Sequence, residues 1–196
     1  MISRSGRYKK SNRIINLKTY KMKKIFSIMA MAAVMLLAGK ANAQISVHTG
    51  YQSYTVHTDM AGVTGSDTED GFYSGFTYDY NLSGSLGVAP GAYFAFAKDL
   101  MDIRIPVLVK YVFQLDKVGL GLFAGPQATI GFSGDTYENK ALTRFDLGAT
   151  VGGQISFAKF SFEFGYNLGL LNRMDNAPAN CSTKTSQFFF GIGYTF

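Results

Sequence analysis

The sequence predicts an all-β chain: an eight-stranded antiparallel up-and-down transmembrane β-barrel that follows an N-terminal signal peptide. Three observations predict this fold. Residues 22–43 have the pattern of an export signal, eight later segments alternate large apolar residues with small or polar ones, and the last residue is the aromatic Phe196. An alternation with a period of two is typical of strands. A closed barrel in lipid needs no further layer to cover the apolar face of its strands.

Residues 22–43 have the three parts of a secretory signal peptide. Two lysines form the basic start, residues 25–38 form an apolar run, and the run ends in the A-x-A cleavage site Ala41–Asn42–Ala43. The apolar run is too short for a spanning helix, so we expect cleavage between Ala43 and Gln44. A short membrane helix that is not cleaved is the alternative.

The expected domains are residues 1–21, a mis-called start or disordered extension, then the signal peptide 22–43, then the barrel 44–196. Residues 1–43 carry ten of the nineteen Lys and Arg and none of the thirteen Asp and Glu. The barrel segment alone therefore has a net charge of −4, whereas the whole chain has +6. The net positive charge of the chain comes from residues 1–43, so we expect no nucleic-acid partner for the barrel.

The predicted strands share one large apolar face and one small or polar face. In the last strand, Phe188, Phe190, Ile192, Tyr194 and Phe196 lie on one side, with glycine and polar residues between them. The eight predicted strands cover residues 45–54, 71–80, 85–97, 102–113, 118–130, 143–157, 160–171 and 186–196.

Three prolines, Pro90, Pro106 and Pro126, lie inside predicted strands. Proline has no N–H to donate, and a closed barrel has no edge strand where this would be harmless. We expect a bulge or an early strand end at each of them.

The connections between strands also alternate in length. Long polar loops are predicted at residues 56–70, 131–142 and 172–184, and the other connections are short. Outer-membrane barrels have short periplasmic turns and longer external loops. With the N-terminus in the periplasm, the long loops are external, and we expect any extracellular ligand to bind there.

The composition of the two faces separates a membrane barrel from a soluble one. A soluble lipocalin-like barrel places its apolar residues inside, around a ligand. Here Gly, Ser, Thr and Gln dominate the second face, and such residues suit the narrow interior of eight strands. We therefore expect lipid outside, with interfacial tyrosines near the strand ends at Tyr51, Tyr80, Tyr111, Tyr166 and Tyr194.

Four segments resemble the small outer-membrane β-barrel family, the porin-family or OmpX/OmpA-like barrels. They are RIPVLVKY (104–111), GLGLFAGPQATIGF (119–132), RFDLGATVGGQI (144–155) and the final FGIGYTF (190–196). The resemblance implies the outer membrane of a Gram-negative-type bacterium, reached by a cleaved Sec signal. It also implies that Tyr194 and Phe196 are the signal read by the outer-membrane assembly machinery.

Five charged residues are predicted to point into the lumen: Asp79, Arg104, Lys110, Asp146 and Glu163. Strand direction places Arg104 and Asp146 toward the external end and the other three lower. Charges in a narrow lumen must be paired or hydrated. We expect an ion-pair network that fills the barrel. The alternative is a narrow hydrated pore.

Catalysis and metal binding have weak signals in the sequence. His48 is predicted to point inward near the periplasmic end, and His57 to lie in the first loop beside Asp59, with Ser53 and Ser66 nearby. A solvated loop histidine is the favoured interpretation. No spacing of His and Cys suits a metal, and the acidic residues near Glu69 and the lone Cys181 indicate ordinary loops.

The sequence therefore predicts a non-enzymatic outer-membrane barrel of structural or surface-interaction type, with a lumen filled by side chains and no cofactor. A narrow porin-like channel is the first alternative. A barrel enzyme that modifies envelope lipid is the second. The expected partners are outer-membrane lipid, the assembly machinery and an extracellular ligand held by the loops.

Overall fold

The computed structural model describes residues 43–60, 63–98, 100–133, 143–173 and 181–196. Within them the chain forms β1 (Ala43–Met60), β2 (Val63–Ser83), β3 (Leu86–Ala97), β4 (Met101–Leu115), β5 (Val118–Ser133), β6 (Phe145–Phe157), β7 (Phe160–Gly169) and β8 (Cys181–Thr195). Each strand pairs antiparallel with the next, and β8 pairs with β1, which closes the barrel. The predicted all-β eight-stranded antiparallel barrel is confirmed.

The N-terminal predictions, residues 1–21 and the signal peptide as far as residue 42, lie outside the described residues. Ala43 and Gln44, on either side of the expected cleavage point, are the first two residues of β1, opposite Tyr80 and Asp79 of β2. Among the described residues, no helix is long and apolar enough to span a membrane.

The two ends of the barrel differ. At one end, which we call the turn end, three two-residue turns join β2 to β3, β4 to β5 and β6 to β7. The first residue of each turn has a positive φ: Gly84, Asp116 and Ala158. The last residue also lies here, because the Phe196 N–H donates to the Ile45 carbonyl at 3.0 Å. The opposite end is the loop end.

The two faces of the wall differ in the way that the alternation predicts. Large apolar side chains point outward and stay exposed, and Phe72, Leu122 and Phe160 have 68%, 63% and 63% of their surface accessible. Inward positions carry buried polar and charged side chains such as Gln52 and Thr77. The barrel therefore has an apolar exterior and a polar interior, the reverse of a soluble barrel.

The prediction of bulges or strand ends at the three prolines is wrong. Pro90, Pro106 and Pro126 lie within β3, β4 and β5, and the register is the same on either side of each. What is lost is a short stretch of pairing with the preceding strand: 78–79 with 89–90, 91–92 with 105–106, and 107–108 with 125–126. A missing N–H removes local hydrogen bonds, and the longer ladder on both sides keeps the strand in register.

The register changes at two other positions. One irregularity lies between Asn81 and Ser83, where β2 enters its turn. The other lies between Met101 and Asp102, at the start of β4. Both are near strand ends, where an extra residue disturbs few neighbouring pairs.

The predicted long loop at residues 56–70 is also wrong. β1 continues to Met60 and pairs with β2 as far as Val63, and β8 begins at Cys181, opposite Met60. Neighbouring β3 pairs with β2 only from Gly71 onward, and β7 pairs with β8 only as far as Ser186. Residues 53–60, 63–70 and 181–186 therefore form a three-stranded extension at the loop end, which we call the projecting sheet.

The loops predicted at 131–142 and 172–184 are also partly wrong, because some of their residues belong to strands. Residues 131–133 belong to β5, and residues 181–184 belong to β8. Residues 134–142 and 174–180 of these predictions lie outside the described residues. Polar sequence alone suggested loops here, but a strand that extends beyond lipid needs no apolar face.

Candidate functional site

The lumen holds all five charged residues that the sequence predicts to point inward, and each has a polar neighbour. At the turn end, the Lys110 ammonium lies 2.5 Å from a carboxylate oxygen of Asp79. The hydroxyls of Ser46 and Thr77 donate to the other oxygen of Asp79 at 2.8 and 2.9 Å. This carboxylate therefore has a counter-charge and two hydrogen-bond donors.

Glu163 lies higher in the lumen and is almost completely buried. One of its carboxylate oxygens is 3.0 Å from Nδ1 of His48, and the other accepts a hydrogen bond from the Tyr73 hydroxyl at 2.8 Å. The second ring nitrogen of His48 is 3.0 Å from the Thr77 hydroxyl. Because Thr77 also bonds Asp79, this chain of polar contacts joins Glu163 to the charges at the turn end.

Four inward rings, which we call the aromatic layer, fill the middle of the lumen: Tyr73, Tyr93, Phe123 and Phe189. Tyr73 meets Phe189 edge to face with ring centroids 5.8 Å apart, and Tyr73 and Tyr93 are 5.9 Å apart. Phe123 stacks on Phe189 at 6.4 Å. The layer packs with buried Ala89, Ala95 and Leu108. It separates the polar groups near the turn end from those near the loop end.

Glycines make room for the aromatic layer. A Cβ added to Gly50 would lie 2.8 Å from the Tyr73 ring, and one added to Gly75 would lie 2.7 Å from the Tyr93 ring. At Gly165 an added Cβ would lie 2.5 Å from the Phe189 ring. At Gly50 and Gly75 the backbone oxygens of the neighbouring strands are closer still, at 2.2 and 2.3 Å. Such distances are far below van der Waals contact, so these inward positions cannot hold a side chain unless the rings and the neighbouring backbone move.

Above the aromatic layer, Arg104 is held by residues of its own strand and of β1. Its Nε donates to Asp102 at 3.0 Å, and both side chains are almost fully buried. The guanidinium also donates to the Gln52 side chain, and the Tyr54 hydroxyl donates to Asp102. Arg104 lies over the ring of Tyr54, 5.5 Å from its centroid.

Asp146 lies nearer the loop end and belongs to a separate group. It accepts a hydrogen bond from the Thr185 hydroxyl at 3.0 Å, and Thr185 in turn is 3.4 Å from the guanidinium of Arg173. Arg173 is fully buried and donates to the backbone carbonyl of Thr143 at 2.8 and 3.2 Å. It therefore ties the start of β6 to β8 across the loop end and attracts Asp146 electrostatically.

The lumen between these groups is nearly full. The central cavity has a volume of about 30 Å³ and borders both the aromatic layer and the charged Glu163, Arg104 and Lys110. A cavity needs about 10–15 Å³ to hold one water. The space accommodates a few waters at most and is too small for a hydrated ion to pass.

The five predicted lumen charges do not form one network. Glu163 is joined through His48 and Thr77 to the pair of Asp79 and Lys110. Arg104 instead contacts Asp102, and Asp146 lies near Arg173. Several partners of these charges were not predicted from the sequence. Asp102 lies two residues before Arg104 on the same strand, so the alternation of the two faces predicts that it also points inward. Arg173 lies between strands, where no periodicity applies.

The two residues predicted to form the assembly signal lie at the turn end, and Cys181 lies at the loop end. Tyr194 and Phe196 lie at the turn end with ring centroids 5.1 Å apart, and Tyr194 also meets Phe160 at 5.2 Å. At the loop end, Cys181 is partly exposed opposite Met60. In the ranges that the structure describes, no group of three or more His, Cys, Asp or Glu could hold a metal ion.

His57 lies on the outward face of the projecting sheet, in a strand and not in a loop. Its Nε2 is 3.2 Å from the hydroxyl of Ser186 on β8. Ser66 is its register partner on β2, and Asp59 lies two residues along on the same face. His57, Ser66 and Asp59 border a shallow pocket of about 260 Å³. Of the serines that the sequence suggested, Ser66 is near His57, but Ser186 is the one within hydrogen-bond distance.

No family model matches the chain, and no curated protein matches it. Solved structures do. Ail, the attachment invasion locus protein of Yersinia pestis, is 18% identical, with a TM-score of 0.43 over 80% of this chain and 100% of its own. Neisserial surface protein A is 13% identical, with a TM-score of 0.48 over 80% and 100% of the two chains. The outer-membrane enzyme PagL is 13% identical, with a TM-score of 0.48 over 72% and 97%.

Ail and Neisserial surface protein A are small outer-membrane eight-stranded β-barrels, the family that the sequence resembles. One of the three is an enzyme by its name, and the other two names mention attachment and a surface location. The likeness concerns the fold.

Replacing Gly165 with alanine should destabilise the barrel, because the new Cβ would collide with the ring of Phe189. We expect a loss of about 1–3 kcal/mol in the free energy of unfolding, measured by urea titration of protein refolded into lipid vesicles. Gly65→Ala is the matched control, since a Cβ there meets no atom within 4 Å. Its effect should stay within about 0.5 kcal/mol. Equal losses for the two variants would contradict the proposed packing of ring on glycine.

The two single variants of the Asp102–Arg104 pair should together lose more free energy of unfolding than the double variant loses. Asp102→Leu leaves a buried guanidinium without its carboxylate, and Arg104→Met leaves a buried carboxylate, each a loss of about 3–5 kcal/mol. The double variant should lose less than the sum of the two, with a coupling energy of about 1–3 kcal/mol. The same urea titration measures all three variants, and strictly additive losses would argue against an energetically coupled pair.

Proposed function

We propose that the protein is a non-enzymatic barrel of the outer membrane of a Gram-negative-type bacterium, with a structural or surface-interaction role. In this proposal a Sec signal is cleaved between Ala43 and Gln44, and the assembly machinery reads Tyr194 and Phe196. The apolar exterior of the closed barrel supports a location in lipid, because only a closed barrel or a helix satisfies every backbone polar group there. The turn end would then face the periplasm and the loop end the exterior.

The filled lumen carries this proposal. A channel needs a continuous hydrated path, whereas here the aromatic layer crosses the barrel and the central cavity measures only about 30 Å³. Near the loop end, the buried Arg173 bonds Thr143 and Thr185. Side chains from several strands fill the same space, so opening a path would require many of them to move together. These features favour a structural or binding role over transport.

The projecting sheet supports a role at the cell surface. It is built from three strands and extends past the neighbouring strands β3 and β7. Its outward side chains are all polar or charged, in contrast with the Phe and Leu residues that cover the wall below. An ordered polar surface of this kind offers hydrogen-bonding groups at fixed positions to a partner outside the cell.

Electrical recording in planar bilayers tests the closed lumen against the alternative of a narrow porin-like channel. The protein should give no stable openings. The double variant Phe123→Ala/Phe189→Ala removes two rings of the aromatic layer and should conduct more often than the unmodified protein. Heat-modifiable migration on gels serves as the folding control for both. Stable openings of the unmodified barrel would overturn the proposal in favour of a channel.

A barrel enzyme acting on envelope lipid is the second candidate, and one contact favours it. The His57 imidazole is within 3.2 Å of the Ser186 hydroxyl, a geometry suited to a general base and its nucleophile. The non-enzymatic proposal predicts that envelope lipid is identical in cells that produce the protein, its His57→Ala variant or its Ser186→Ala variant. Mass spectrometry of extracted lipid measures this. A lipid species that depends on both residues would establish the enzyme.

A further inference from the structure

The outward face of the projecting sheet continues the lipid-facing surface of the barrel toward the loop end. On β1, Tyr51 is the last outward aromatic residue, and Ser53 is the next outward position. Tyr51 packs between Phe72 and Phe190, with ring centroids 6.4 and 5.1 Å away. Its hydroxyl points past these rings and donates to Asp70 at 2.5 Å. An aromatic body with a polar tip is typical of the edge of a membrane.

Beyond this row of rings, every outward side chain of the sheet is polar or charged. We call this surface the outward polar face. It contains Ser53, Thr55, His57, Asp59, Thr64, Ser66, Thr68, Asp70, Ser182, Lys184 and Ser186. Four outward positions on β1 cover about 20 Å along the strand. If the wall below lies in lipid, this face lies at the level of the lipid headgroups.

We propose that the outward polar face binds the neutral saccharide headgroups of outer-leaflet glycolipids. The inference deepens the surface-interaction role and rests on the membrane orientation of the proposed function. The lipid-facing band and the polar face share one continuous surface, so a lipid whose chains pack on Phe72 and Phe188 places its headgroup against the sheet. This continuity selects a lipid over a soluble partner.

The side chains on the face favour a sugar over a phosphate. Seven of the eleven are serine or threonine, whose hydroxyls donate and accept hydrogen bonds as sugar hydroxyls do. The charged groups are the carboxylates of Asp59 and Asp70 and the ammonium of Lys184, with His57 beside them. Recognition of anionic headgroups requires a cluster of basic residues, and a face with one lysine and two carboxylates does not provide it.

The face also has a shallow depression of suitable size. A pocket of about 260 Å³ is bordered by His57, Thr58, Asp59, Thr64, Gly65, Ser66, Ser182 and Lys184. This volume equals that of roughly nine liquid waters, which is enough space for a sugar ring. The pocket is lined by side chains from all three strands of the sheet, and its position is fixed by their register.

The sheet provides a matched pair of variants. Thr55 and Thr68 form a cross-strand hydroxyl contact of 3.3 Å on the outward polar face. Thr58 and Thr183 form a similar contact of 3.4 Å on the opposite face. Thr55→Val/Thr68→Val and the single change Thr183→Val each keep a β-branched shape and cost the sheet one such contact. Thr58 borders the pocket and stays unchanged, so only the first variant removes groups from the proposed binding surface.

The experiment uses the protein in nanodiscs of phosphatidylcholine, with threonine methyl groups labelled for NMR. One series adds digalactosyl diacylglycerol and the other adds anionic phosphatidylglycerol. The galactolipid should shift the Thr64 methyl signal and give cross-relaxation from its sugar-ring protons, while phosphatidylglycerol should do neither. Thr55→Val/Thr68→Val should weaken the apparent affinity about tenfold, as expected for the loss of two hydrogen-bonding groups. Thr183→Val should leave it unchanged.

Three results would overturn the inference. They are equal shifts with phosphatidylglycerol, no shift with the galactolipid, and equal weakening by Thr55→Val/Thr68→Val and by Thr183→Val. If Thr55→Val/Thr68→Val does not fold, the comparison of the two lipids on the unmodified protein still decides between a sugar site and none. A negative result here is separate from a failure of the proposed function, which depends on conductance and on lipid chemistry in cells.

Discussion

The ladder between β1 and β8 closes the wall, and this closure limits the space available to every inward side chain. Eight strands enclose an interior that is only wide enough for side chains to fill. Each large inward residue must therefore face a small one on another strand. The contacts of Tyr73 with Gly50 and of Phe189 with Gly165 follow from this limit. The inward glycines are thus as much a part of the packing as the rings that cover them.

The same narrow space determines how the charges are arranged. A charge inside a low-dielectric barrel is tolerated only when an opposite charge or hydrogen-bond donors lie next to it. The closest such partner often comes from the same strand or a nearby one, as Asp102 does for Arg104. The aromatic layer separates the lower charges from the upper ones, so the polar interior consists of several compact groups. Each group can stabilise its own part of the wall.

The alternation of residues was sufficient to predict the fold class and the inward direction of the five charged residues, because parity along a strand needs no knowledge of tertiary structure. Partners across the lumen were not predictable in this way. Glu163 meets His48 only because of the stagger between β7 and β1, which the sequence of neither strand contains. The loop predicted at 56–70 failed because polarity was equated with irregular structure. Arg173 lies outside the strands, where parity gives no guidance.

The projecting sheet joins the first, second and last strands of the chain. Its middle strand is β1, and β8 becomes its neighbour only when the barrel closes. The outward polar face therefore does not exist in a chain that is still incomplete or open along the β1–β8 ladder. A partner that contacts residues of β1 and β8 together therefore binds only the closed barrel. It would not bind an intermediate in which every other strand pair has already formed.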